Sequence, residues 1–304
     1  MKKKIAILGS NASLAQAIIN EMASNTDYSL HLFSTRNSTG LINASHTYYR
    51  IPDTDLRNET LLAFDVIISC AVAGLQPGNT DPADLIMEVN YNEPVRIINY
   101  LVEKKYKGKF ITFGSYFEIG ICNTIEPYNE DFLLRHNNPL HNSYALSKCN
   151  LTKFLHHILI HEPLTFDLLH FILPNVYGWG SNFKHILYYV KGCILENSPV
   201  KLTSGSQKRQ YVHIRDVARF VLKIIDQKAK GIYNLGTKDI IAINELVENI
   251  FKAAKRPPAI ELNAITKVDT AMPYLALDDS KAKQELGWNP SISLDEGIKE
   301  FFEK

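Results

Sequence analysis

The sequence predicts an α/β protein: a parallel sheet wound on both faces by helices, followed by a smaller C-terminal α/β cap. Two observations carry the prediction. Through the first half, short β-branched runs alternate with longer amphipathic stretches, the rhythm of parallel strands joined by crossover helices. After about Pro174 that rhythm gives way to shorter, mixed elements, and the 304 residues, 45% of them hydrophobic, suffice for one large core or two joined ones. We read 1–174 as the main domain, also receiving parts of 210–245, and 175–304 as a discontinuous cap.

The elements follow in order. Lys4–Gly9 is a first strand, because Ile5-Ala6-Ile7-Leu8 is apolar on both faces, as a central parallel strand must be, and Gly9 supplies the turn. Ser29–Ser34, Val66–Cys70, Lys109–Phe113 and Phe166–Leu173 repeat the short apolar run. Between them lie helices Ser13–Ala23, Pro82–Lys105 and Ser143–His161, the second opening on Asp81-Pro82, a capping residue before proline at the first helical position. In the cap we expect a helix near Phe183–Glu196, strands at Val200–Thr203 and Gln210–Ile214, and two further helices.

Composition excludes several classes. A formal charge of +1 leaves no electrostatic footprint for nucleic acid or an anionic membrane. No run approaches the ~18–20 apolar residues of a membrane span. Cys70, Cys122, Cys149 and Cys193 lack metal-type spacing, so no metal is expected. The apolar run after Lys2-Lys3-Lys4 is too short for a signal-peptide core. The expectation is a reduced, soluble, cytoplasmic protein.

Two patterns carry chemistry. The turn Gly9-Ser10-Asn11-Ala12-Ser13-Leu14-Ala15 would set a dinucleotide pyrophosphate against amides at a helix N-terminus. Alone it is weak, since Ala12 and Ala15 stand in two of the three glycine places. The second strand ends His31-Leu32-Phe33-Ser34, with no acid for a ribose 2′-hydroxyl, and Thr35 and Arg36 follow. A hydroxyl and a guanidinium suit a 2′-phosphate, which favours NADP(H), with NAD(H) possible.

The second pattern is Tyr144 with Lys148, four apart and so on one helix face, behind a strand that ends in Ser115. A phenol titrates near ~10 and needs a neighbouring cation to work at neutral pH. Lys148 is read as that cation, and Ser115 as the hydroxyl that holds the reacting oxygen. With fifteen tyrosines a chance match is easy, and Tyr100 with Lys104 is one. It precedes a strand and is read as a solvated face. His156 and His157, about two to three turns past Lys148, are read as surface residues.

Taken in order, the glycine turn, Asp55-Leu56, Asn90, Phe113-Gly114-Ser115, Tyr144 and Lys148, Pro174-Asn175-Val176-Tyr177-Gly178, Gly205–Ala218, Tyr233-Asn234-Leu235-Gly236 and Leu286-Gly287-Trp288-Asn289-Pro290 resemble the extended short-chain dehydrogenase/reductases. The likeness is to the NAD-dependent epimerase/dehydratase branch, acting on nucleotide sugars. It implies a Rossmann doubly wound parallel sheet with a smaller C-terminal α/β substrate-binding cap, and catalysis by Ser115, Tyr144 and Lys148, the lysine bridging the nicotinamide ribose and lowering the tyrosine pKa. It implies cofactor contacts from Gly9, Asn11, Ser13 and Leu14 at the turn, from Ser34, Thr35 and Arg36, from Asp55 and Leu56 beside the adenine, from Ala71, Val72 and Ala73, and from Pro174. Asn90 would support the long helix near the lysine. Substrate contacts would come from Ser115, Tyr116, Asn175, Arg209, whose planar fork suits a diphosphate, and Tyr274. A homodimer through the helices around Ile86–Ile98 and Ser143–His161 is also implied.

Departures from the pattern narrow the reaction. In similar sugar 4,6-dehydratases an aspartate and a glutamate follow the strand-end hydroxyl, whereas Tyr116 and Phe117 stand here. Without them elimination loses its acid and base. Glu118 should point to the opposite face if the stretch is extended. The expected activity is NADPH-dependent reduction of the C4 ketone of a nucleotide-linked 4-keto-6-deoxyhexose, such as dTDP-4-keto-6-deoxyglucose, in deoxysugar and surface polysaccharide biosynthesis. The alternatives are a nucleotide-sugar 4-epimerase with tightly bound NAD and a non-catalytic NADP-binding regulator.

Overall fold

The computed structural model of the chain describes residues 2–23, 25–34, 45–48, 59–74, 80–178, 186–266 and 272–303, with backbone alone at 45–48, 59 and 303. Its strands are β1 (Lys3–Leu8), β2 (Tyr28–Ser34), β3 (Ser45–Tyr48), β4 (Val66–Ser69), β5 (Lys109–Ser115), β6 (Asp167–Leu173), β7 (Asn175–Tyr177), β8 (Val200–Lys201), β9 (Lys208–His213), β10 (Gly231–Asn234), β11 (Ile240–Ala242), β12 (Ile260–Glu261) and β13 (Tyr274–Leu275). The helices are α1 (Ser13–Met22), α2 (Glu59–Leu62), α3 (Ala83–Met87), α4 (Glu93–Glu103), α5 (Glu130–Arg135), α6 (Ser143–His161), α7 (Ile186–Glu196), α8 (Ile214–Ile224), α9 (Ile243–Ala253), α10 (Ser280–Leu286) and α11 (Leu294–Glu303).

Seven strands form one parallel sheet in the order β10-β6-β5-β4-β1-β2-β3. Alternation along each strand feeds two cores. Ile5 and Ile7 of β1 face one layer, where Ile18 and Ile19 of α1 and Val217, Phe220 and Val221 of α8 pack. Ala6 and Leu8 face the other, against Ile97, Ile98 and Leu101 of α4 and Leu151, Leu155 and Ile158 of α6. The order reverses between β1 and β4, so the connections after them run to opposite faces, to α1 on one and α4 on the other, and leave a crevice at their carboxyl ends, the place where doubly wound sheets hold ligands.

The C-terminal part has its own core, in which Leu187 and Val190 of α7, Leu246 and Ile250 of α9 and Ile298 and Phe301 of α11 meet. Beside it, β9 pairs with β7, β11 and β13. The Leu286-Gly287-Trp288 motif is a helix stop: Gly287 takes the left-handed conformation, φ 66°, and Trp288 turns back to donate its Nε1 to Gly236 O at 2.7 Å.

Two expectations change here. Pro82–Lys105 is not one continuous α-helix, because a π turn at Glu88–Asn92 separates α3 from α4. Pro94 explains the interruption, since it lacks the N–H that the Asn90 carbonyl would accept and its ring crowds that carbonyl. β10, read from sequence as a motif within the 210–245 stretch, is a sheet strand beside β6. Residues 179–185, including the expected helix start at Phe183, lie outside the described residues. No helix among the described residues is long and apolar enough to cross a membrane.

Candidate active site

β5 delivers Ser115 to the carboxyl edge of the sheet, and α6 starts nearby, capped by Asn142, whose side chain accepts from Ala145 N at 2.8 Å. Tyr144 and Lys148 therefore sit on successive turns of one face. The structure brings the three expected catalytic residues together: Ser115, Tyr144 and Lys148 are all buried. The Ser115 side chain acts on the Tyr144 phenol in favour of its ionised form. Lys148 Nζ donates to Phe113 O at 2.9 Å.

The electrostatics differ from the expectation in one respect. Burial pushes the Tyr144 phenol well above its ordinary range, against the opposing influence of Ser115, and the charge of Glu118 raises it further. Lys148 is not among the groups that lower it. Burial also brings Lys148 down to about 8, with Glu118 and Cys70 acting in the other direction. Desolvation is thus the largest influence on Tyr144 and favours its protonated form. The second pair behaves as read: Lys104 is exposed, next to Glu103, with its Nζ 5.7 Å from the Tyr100 ring centroid.

The crevice between β1 and β4 fits a dinucleotide. Gly9 has φ 73°, and a Cβ there would lie 2.5 Å from Ala71 Cα, so only glycine lets the two strand ends approach. No side chain caps α1, which leaves its first-turn amides for an anion. Beside them Ser10 Oγ is buried without a protein partner. Asn11 donates to Ser34 Oγ at 2.5 Å, tying the turn to the end of β2. Asn90, in the π turn, accepts from Ala73 N at 2.9 Å and donates to Ala73 O at 2.9 Å and to Ser147 Oγ at 3.0 Å. It clamps the Ala71–Ala73 segment to the turn of α6 that carries Lys148. Ser13 and Leu14 open α1, and Pro174 is buried between β6 and β7. Thr35, Arg36, Asp55 and Leu56 lie outside the described residues. Among the described residues no cluster of side chains could hold a metal ion.

On the substrate side one expectation is overturned. Tyr116 is 1% exposed and belongs to the core beneath the sheet, edge-on to Phe117 with ring centroids 4.9 Å apart. It offers no surface to a substrate, because Tyr116–Ile119 is a 3-10 turn that rolls the ring inward. Asn175 opens β7 and is half-buried, as is Tyr274 in β13. Arg209 is 3% exposed, with Nη1 donating to Lys208 O and Met272 O, each at 2.8 Å.

The same 3-10 turn holds what the sequence reading missed. Glu118 is turned inward, 1% exposed, and its Oε1 accepts from Ser115 N at 2.6 Å while Ser115 Oγ accepts from Phe117 N at 3.3 Å. This is a capping box, and its signal was present in Ser115-Tyr116-Phe117-Glu118. Glu118 Oε2 accepts from Thr152 Oγ1 at 2.5 Å, and Thr152 Oγ1 lies 2.9 Å from His170 Nε2.

Comparisons with known proteins bear on the family. The sequence profile of the NAD dependent epimerase/dehydratase family matches residues 5–236. The chain is 31% identical over 178 residues to UDP-glucuronate 4-epimerase of Thermodesulfobacterium geofontis, covering 57% of this chain and 52% of that protein. It is 26% identical over 162 residues to dTDP-4-dehydro-6-deoxyglucose reductase of Escherichia coli, covering 51% and 50%. Those two alignments span about half of each relative's length. CDP-abequose synthase of Salmonella typhimurium matches at 21% over 227 residues, covering 72% and 70%. Among solved structures, UDP-glucose 4-epimerase of Thermotoga maritima superposes with a TM-score of 0.81 at 18% identity, over 99% of this chain and 97% of that one. That likeness is one of fold. The profile spans most of the chain, and the protein belongs to the NAD dependent epimerase/dehydratase family.

Proposed function

We propose that the chain reduces the C4 ketone of a nucleotide-linked 4-keto-6-deoxyhexose with NADPH. The observation that carries this reading is the buried grouping of Tyr144 and Lys148, on successive turns of α6, with Ser115 at the end of β5. A protonated phenol carries the proton that reduction requires at the forming alkoxide, and a neighbouring cation would favour the phenolate it leaves. A bound nicotinamide dinucleotide supplies the hydride. The first-turn amides of α1 would hold its pyrophosphate, and Asn90 fixes the segment beside it. Ser115 would hold the carbonyl oxygen, giving a donor where charge develops. Lys148 would orient the ribose and sustain positive charge as Tyr144 gives up its proton. Tyr116 and Phe117 leave no carboxylate in the positions where similar dehydratases carry theirs, so elimination is disfavoured.

Arg36, and the lack of an acid at the tip of β2, support NADP(H) over NAD(H). The test is to mix purified protein with NADPH and dTDP-4-keto-6-deoxyglucose, then the CDP and GDP counterparts, and follow nicotinamide absorbance. Turnover with one of them is expected, and none with all three overturns the reading. The alignment to UDP-glucuronate 4-epimerase supports a second reading, a nucleotide-sugar 4-epimerase. That enzyme would purify with NAD bound. We also propose a homodimer, because Leu146 and Ile160 are 42% and 59% exposed on α6. Light scattering giving a monomer at micromolar concentration would refute it.

A further inference from the structure

We propose that Glu118 is a positioning residue: a buried carboxylate that fixes the Ser115 backbone and supplies the counter-charge of Lys148. This rests on the reading of Ser115, Tyr144 and Lys148 as one proton-donating site. The geometry is specific. One carboxylate oxygen accepts from the Ser115 amide at 2.6 Å and the other from the Thr152 hydroxyl at 2.5 Å. Space is reserved for it as well: a Cβ on Gly114 would fall 2.5 Å from Glu118 Oε1 and 2.7 Å from His170 Nε2. The carboxylate satisfies two buried donors, and the Thr152 that holds it lies one helical turn from Lys148 on α6, which brings its charge to bear on the lysine.

Proton counting shows how the carboxylate is held. Thr152 has one hydroxyl hydrogen, so when it donates to ionised Glu118, His170 must donate Nε2–H to Thr152 Oγ1. Burial and the charge of Lys148 bring His170 down to about 3, which keeps it neutral in that role. When Glu118 is protonated the chain can run the other way, from Glu118 through Thr152 to His170 Nε2. Burial raises Glu118 to about 7, while Thr152, the Ser115 amide and Lys148 all favour its ionised form. The other titratable groups around the pair are Tyr144 and Cys149 of α6, Cys70 after β4, and His136 against the Glu118 backbone. Lys148 is the cation whose charge acts on Glu118, and Glu118 is first among the groups that keep Lys148 charged.

The experiment is a titration of Lys148 in the protein without added cofactor, read by NMR of 13Cε-labelled lysine and assigned with Lys148→Arg. Glu118→Gln is expected to lower the Lys148 midpoint by about one pH unit, making its charged fraction about tenfold smaller above the midpoint. Thr152→Val removes a donor that keeps Glu118 ionised, and it should move the midpoint in the same direction by less. The alkaline limb of NADPH oxidation should move with each midpoint, a shift that a packing role would not produce. If Glu118→Gln does not fold, Thr152→Val decides. A Lys148 midpoint within about 0.3 unit of the wild type in the folded variants, whatever their thermal stability, overturns the proposal. Absence of turnover in the wild type would overturn the reductase reading and leave this titration interpretable.

Discussion

Asn90→Leu tests whether the π turn exists to hold the crevice. Leucine is close in volume, so the substitution removes hydrogen bonds with little change in packing. Asn90 is 1% exposed and makes three bonds, two with the Ala73 backbone and one with Ser147 Oγ. Each net contribution is about 1 kcal/mol, which gives about 3 kcal/mol for the set. Ala73 is only half-buried and recovers part of this from water, whereas Ser147 is fully buried and does not. The expected loss is therefore about 2–3 kcal/mol in urea unfolding, with an unchanged m-value. Because Ser147 Oγ donates to Tyr144 O at 2.8 Å, the first turn of α6 loosens too. Cofactor affinity by fluorescence quenching should fall about tenfold, the equivalent of ~1.4 kcal/mol. Unfolding within about 0.5 kcal/mol of the wild type together with unchanged affinity would refute the clamp.

Four other outcomes follow from the geometry. Tyr144→Phe should lower kcat by about 10²–10⁴ while NADPH affinity and circular dichroism stay unchanged, and retained turnover would assign the proton to another group. Gly9→Ala places a Cβ 2.5 Å from Ala71 Cα and N in a conformation of φ 73°, so it should cost at least ~1–2 kcal/mol for the backbone alone and weaken the cofactor more than the substrate. Tyr116→Ala, as a core truncation, should cost about 3–5 kcal/mol in unfolding. A raised KM without loss of stability would return Tyr116 to the substrate site. In a pH series, the reduction rate should fall as pH rises through about 8, because Lys148, lowered by burial, loses its charge there while the raised Tyr144 stays protonated. A profile flat to pH 10 would contradict that assignment.

The elements legible in the sequence are those whose faces are buried on both sides or whose ends carry caps. Ile5-Ala6-Ile7-Leu8 could only be a central strand, and all four residues are 0–1% exposed. Ser143–His161 has the same bounds in sequence and structure because Asn142 caps it and Leu151, Leu155 and Ile158 give it a core face. β10 lies in the 210–245 stretch, parts of which the sequence assigns to the main domain, but its form was not legible: four residues far along the chain become a sheet strand only because β6 offers them an edge. The π turn was written in Pro94, but a proline within a helical pattern predicts a break and not its form. Tyr116 and Glu118 exchanged places for one reason. Alternation assumes an extended chain, and the Ser-x-x-Glu capping box curls the chain after Ser115 so that both side chains turn inward.

That curl also bears on the chemistry. The sequence leads us to expect that Lys148 lowers the Tyr144 pKa. Instead, burial raises the phenol, and Glu118, brought under the site by the capping box, raises it again through its charge. The same charge keeps Lys148 protonated against its own desolvation. One carboxylate therefore favours both groups in their proton-bearing forms. As a proton leaves Tyr144 for a substrate oxygen, the new phenolate meets an ammonium that Glu118 has kept charged, which offsets part of the cost that burial and Glu118 place on giving the proton up. On these grounds the variant Glu118→Gln should slow reduction from neutral pH upward, because Lys148, at about 8 with Glu118 present, loses its charge earlier without it.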